Sequence, residues 1–85
     1  MNQEIIEEKY LYRTADLALA SAIFIFFPLE GIERGPDSRK SFFLFKRESG
    51  LDELVEVFWR GELKVEPQAY FQSLRTIKAR LYGEK

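Results

Sequence analysis

Residues 14–28, TADLALASAIFIFFP, are the most apolar run in the chain, and their reading decides the fold. Between Leu17 and Phe27 only Ser21 is polar, so a helix here keeps no face for water. Such a helix is either buried in a core or crosses a membrane. The run is about half the length a bilayer requires, and Asp16 and Pro28 bracket it. It reads as a core helix. Thr14 is the expected N-cap, and Asp16 falls in the first turn, where a carboxylate favours the positive end of the helix dipole. Pro28 disfavours helical geometry at Phe27, so the expected helix covers 15–26.

What surrounds this helix must cover it. The chain has 85 residues, enough for one core and not for two. Eight Phe, four Tyr and one Trp are the large rings available to fill that core. Cysteine is absent, which excludes disulfides and thiolate chemistry. Histidine is absent too, which removes the commonest general base and, with cysteine, the usual ligands of zinc and haem. No cofactor or metal is expected. Thirteen bases against fourteen acids leave a net charge of −1, so no global field draws the chain to nucleic acid. The start MNQEIIEEKY is acidic and unlike an export signal, so a cytoplasmic protein is expected.

Outward from the central helix, residues 1–8 read as a frayed acidic N-terminus, and 9–85 as a single domain. Residues 9–13, KYLYR, read as a short strand, with a backward extension of the helix as the alternative. LEGIER (29–34) and KSFFLFK (40–46) flank the turn signal GPDS, which predicts a β-hairpin. Phe42, Phe43, Leu44 and Phe45 make the second strand apolar on both faces, as for a strand covered on both sides. Ser49 with Asp52 resembles a box-like helix start, and Leu51, Leu54, Val55 and Phe58 form one apolar stripe ending before Gly61. ELKVE (62–66) alternates like a short strand or connector. Pro67 suits a first helical position after Glu66, and Tyr70, Leu74, Ile77 and Leu81 form the stripe of a last helix. The expected fold is a small α+β domain, three helices packed on a β-hairpin in the order α-β-β-α-α. Residues 9–13 and 62–66 are candidates for extra short strands.

The segments YRTADLALAS, FFLFK, LVEVFWRGE and VEPQAYFQSLRTIKARLY together resemble an uncharacterised bacterial and phage family, the domain of unknown function fifty-six fifty-nine. The resemblance spans roughly residues 9–82 and implies a shared fold without implying an activity. The family's occurrence among phage and mobile-element genes favours a nucleic-acid-related role by association alone.

Three chemistries can be weighed on the residues themselves. Asp52 with Glu62-Leu63-Lys64 echoes the acid-then-ExK pattern of metal-dependent nucleases, although the chain has little room for the larger sheet on which they build that site. Arg39, Lys40, Lys46 and Arg47 bracket the second hairpin strand, while Phe71, Arg75, Lys78 and Tyr82 fall along one flank of the last helix. Cations beside stacking rings are what a phosphate-tracking surface needs; the plainer reading is a solvated face and a core rim. Third, the apolar surface exceeds what so small a domain easily covers. Trp59 and Val57 then become candidates for a partner or homodimer interface, against the plainer reading of a half-buried structural Trp. These readings rank a non-catalytic binding or adaptor module first, working through protein association, including self-association. Nucleic-acid binding through the basic–aromatic face is the alternative, and a nuclease-like enzyme is third.

Overall fold

The computed structural model describes residues 10–35 and 40–83. The N-terminal residues read as frayed, the turn residues Pro36–Ser38 and Arg39 lie outside them. The described elements run β1 (Leu11–Thr14), α1 (Leu17–Phe26), β2 (Leu29–Arg34), β3 (Ser41–Lys46), α2 (Leu51–Trp59) and α3 (Pro67–Gly83). The domain is α+β as expected, and the segment before the central helix is the expected short strand and not a helical extension. The sheet therefore has three strands, in the order β1-β3-β2. Both outer strands pair antiparallel to β3, so β1 and β2 run parallel to each other with β3 inserted between them. Residues 62–66 form no strand. Their alternation has another cause: Leu63 and Val65 turn toward a hollow lined by Ala22, Phe58 and Tyr70, and no strand among the described residues pairs with them.

The start of α1 differs from expectation by two residues. Thr14 is the last residue of β1, and its Oγ1 accepts a hydrogen bond from the Asp16 N–H at 3.1 Å. Asp16 is the N-cap, accepting from the Leu19 N–H at 2.9 Å. Two side chains thus turn the chain from strand into helix, and the tighter cap is the carboxylate. At the other end Phe27 is extended, as the residue before Pro28 should be.

Five consecutive residues of α1, Leu19 to Ile23, are buried, which closes a full turn of the helix on every side. Its ends are not covered in the same way. Ala18 is exposed and Phe26 is 55% exposed, so the all-round burial expected of this helix holds only for its middle. The core joins Leu19, Ala20 and Ile23 to Phe43 and Phe45 of β3, Leu51 of α2 and Ile77 of α3.

In β3 the odd-numbered residues face this core. Tyr12 and Leu29 sit opposite Phe45, and Ile32 and Thr14 opposite Phe43. The even-numbered Phe42 and Leu44 are only half-buried, in register with Glu33 and Arg13. The strand is therefore covered on one face rather than two. An ion pair between Arg13 and Glu33, 2.9 Å long, spans β3 on the opposite face.

α2 begins after Gly50, whose φ of +93° is natural for glycine. Ser49 does not cap it, and Asp52 instead pairs with Arg47 at 2.6 Å. At its end the Gly61 N–H donates to the Phe58 carbonyl and the Glu62 N–H to the Val57 carbonyl, with Gly61 at φ +74°. That double bond pattern is a Schellman stop, and it requires the left-handed residue glycine supplies. Pro67 opens α3, and the Glu66 carboxylate caps it by accepting from the Ala69 N–H at 2.7 Å.

α3 packs on α1 through small residues. Ser73 is buried, and its hydroxyl donates to the Ser21 carbonyl at 2.6 Å. The Ser21 hydroxyl in turn donates to the Leu17 carbonyl at 2.9 Å. Near the end of α3, Arg34 of β2 donates to the Leu81 carbonyl at 3.0 Å, tying helix to sheet.

Candidate functional site

Asp52 and Glu62-Lys64 lie at opposite ends of α2, a nine-residue helix about 13 Å long. Asp52 is held by Arg47, and Glu62 accepts from Arg60 at 3.1 Å. They do not share a site. Among the described residues, no group of three Asp or Glu side chains is placed to hold a metal ion.

The basic–aromatic residues divide into two places. Phe71, Arg75, Lys78 and Tyr82 are all exposed and occupy a sector of about 60° on α3. Phe71 is 59% and Tyr82 74% exposed. The C-terminal end of this stripe reaches the hairpin: Leu81 and Tyr82 line a hollow of about 440 Å³ with Arg34, Ser41 and Leu17. Lys40 precedes Ser41 there, its Nζ 5.9 Å from the centre of the Phe42 ring. Lys46 and Arg47 sit at the far end of β3, about 20 Å away by strand rise. Arg47 is already engaged, with Asp52 and over the Tyr12 ring at 5.2 Å. The Lys40 ammonium thus lies over Phe42, on the sheet face turned away from the helices, and the structure joins none of Lys40, Lys46 and Arg47 to the α3 stripe; Arg39 lies outside the described residues.

The Tyr12 ring beneath Arg47 is itself partly buried. Burial raises the Tyr12 phenol above its ordinary 10.0, against the opposing pull of the Arg47 guanidinium, with Asp52 and Asp16 adding to the rise. A pKa raised by folding stabilises the fold fully below the unfolded value and loses that contribution as pH rises through the folded one. Urea midpoints are thus expected to fall above pH ~10 more steeply in the wild type than in Tyr12→Phe. Superimposable alkaline limbs for the two proteins would contradict this.

Val57 and Trp59 do not form one patch. Two residues of helix turn them about 160° apart, onto opposite flanks of α2. Trp59, 61% exposed, stands edge-on to Phe58 with ring centres 5.0 Å apart. Val57 instead lines an open cleft of about 350 Å³, whose walls are Phe26 and Phe27 of the α1 terminus, Leu54 of α2 and Leu63 of the connector. Gly50 and Glu53 complete its rim. Sequence reasoning missed this cleft because its walls come from three segments. The signal for it was the surplus apolar surface, assigned to Trp59 and Val57; Val57 does line the cleft, and the exposed Phe26 beside it went unnamed.

A sequence model of the family described as Domain of unknown function (DUF5659) matches residues 9–83. That is nearly the whole chain. The chain belongs to the DUF5659 family. No curated protein and no solved structure matches it. The three-stranded sheet with its helices on one face is thus a DUF5659 fold, and its middle turn of α1, from Leu19 to Ile23, falls entirely within the matched residues. No helix among the described residues of this DUF5659 domain is long and apolar enough to cross a membrane.

Proposed function

We propose that the domain is a non-catalytic protein-binding module that works through the cleft between the end of α1 and α2. The carrying observation is Phe26: a phenyl ring more than half exposed beside the half-buried apolar side chains of Phe27, Leu54, Val57 and Leu63. Contiguous exposed apolar surface of this kind marks an interaction site. Burial of a Phe ring on binding contributes on the order of 2 kcal/mol, which makes Phe26 the expected anchor.

The test replaces Phe26 with benzoyl-phenylalanine and irradiates the protein in its host. A discrete protein adduct is expected, lost when Val57→Asp sets a charge in the cleft. Absence of any adduct, or one indifferent to Val57→Asp, would refute the reading.

A further inference from the structure

We infer that the occupant of this cleft is the exposed flank of α3 from a second copy of the chain, giving a contact between unlike surfaces. The inference rests on the cleft reading and names its partner. It starts from the segregation of charge between two neighbouring helices. α2 carries Asp52, Glu53 and Glu56 and no base, whereas α3 carries Arg75, Lys78 and Arg80 and no acid. Among the described residues Glu53, Arg75, Lys78 and Arg80 take part in no ion pair. The unmatched acid is at the rim of the apolar cleft, and unmatched bases lie between the two exposed rings of α3.

The shapes of the two patches agree with their charges. The cleft offers an apolar floor with Glu53 at its edge and Glu56 next to it on α2. The α3 flank offers Phe71 and Tyr82 as apolar anchors with Arg75 and Lys78 between them, a row about 16 Å long against the roughly 13 Å of α2. An amphipathic helix laid in a groove is held by apolar anchors along one face; on this flank the anchors are the two end rings, with the cations between them. Rings would enter the cleft beside Phe26, and the bases would meet Glu53 at its rim and Glu56 beyond it, 3.8 Å from Arg60. Because cleft and flank are different surfaces of one chain, each copy keeps one of each to offer, and association can continue from copy to copy or close into a ring. The same flank cannot hold a nucleic acid while it fills a neighbour's cleft.

Sedimentation of purified protein at high micromolar concentration tests this. The wild type is expected to form species larger than one copy, and to lose them as salt screens the contact. Glu53→Lys/Glu56→Lys and Arg75→Glu/Lys78→Glu should each sediment as a monomer with an unchanged circular dichroism spectrum. Combining all four substitutions in one chain should restore association, as should mixing the two double variants. A monomeric wild type, association indifferent to either double variant, or failure of the folded quadruple variant to re-associate would each overturn the inference. The benzoyl-phenylalanine adduct at position 26 separates it from the reading beneath it. An adduct on α3 of a second copy supports both. An adduct on a different protein overturns the self-contact and leaves the cleft reading intact. Retardation of an oligonucleotide by monomeric wild type, lost in Arg75→Glu/Lys78→Glu, would assign the flank to nucleic acid and also overturn it.

Discussion

Phe45→Ala is expected to remove about 3–5 kcal/mol of stability, the usual cost of deleting a fully buried ring. Phe45 has no exposed surface and lies in the central strand, between Tyr12 of β1 and Leu29 of β2. Truncation there leaves a cavity that neither edge strand can fill without breaking its ladder. A domain of this length has a total stability of only about 4–13 kcal/mol, so the variant should be near or past the threshold of folding. Thermal denaturation followed by circular dichroism should show the melting temperature falling by more than about 12 °C. A loss under about 1 kcal/mol would mean that Phe45 does not anchor the core. Phe42→Ala, on the half-buried face of the same strand, is the control and should cost much less.

Ser73→Leu should be the next most damaging change. The α1–α3 contact is built on small residues, and the buried Ser73 hydroxyl donates to the Ser21 carbonyl at 2.6 Å. Leucine adds volume where the backbones are close, at a cost of about 1–3 kcal/mol, and removes a buried hydrogen bond worth roughly 1 kcal/mol. Chemical denaturation should therefore give a loss of about 2–4 kcal/mol, with Ser73→Ala losing only the hydrogen-bond share. If leucine were tolerated as well as alanine, the helices would not be closely packed at this point.

Ser73 also shows where sequence reading stops. The stripe Tyr70, Leu74, Ile77, Leu81 correctly finds the inner face of α3, but the buried residues at its centre are Ile77 and Ser73. A small hydroxyl residue carries no hydropathy signal, and only a partner helix with its own small residues explains its burial. Features set by local chemistry were legible: Gly61 as the end of α2, Pro67 as the start of α3, and Pro28 as the stop of α1. The β2–β3 hairpin and the central place of α1 were legible too, from turn residues and an uninterrupted apolar run. Features set by distant partners were not. Thr14 looked like a cap because it precedes a helix, yet pairing with Phe43 keeps it in the sheet. Leu63 and Val65 alternate as strand residues do, yet no strand among the described residues pairs with them, and they form a connector. Arg47 looked available until Asp52 folded back onto it. The cleft was the least legible of all, since Phe26 is far in sequence from Val57 and Leu63.

The position of β3 between β1 and β2 also dictates an order of events during synthesis. Among the described elements β1 pairs with β3 alone, so Leu11–Thr14 have no strand to join until residues 43–46 have left the ribosome. Until then the growing chain holds α1 with its most apolar turn still waiting for Phe43, Phe45, Leu51 and Ile77. The hairpin, joined by a short connection, can close early, whereas β1 must be recruited across a loop of about thirty residues. Exposure of the α1 turn over that interval is an inherent hazard of a small core assembled around a strand that arrives late.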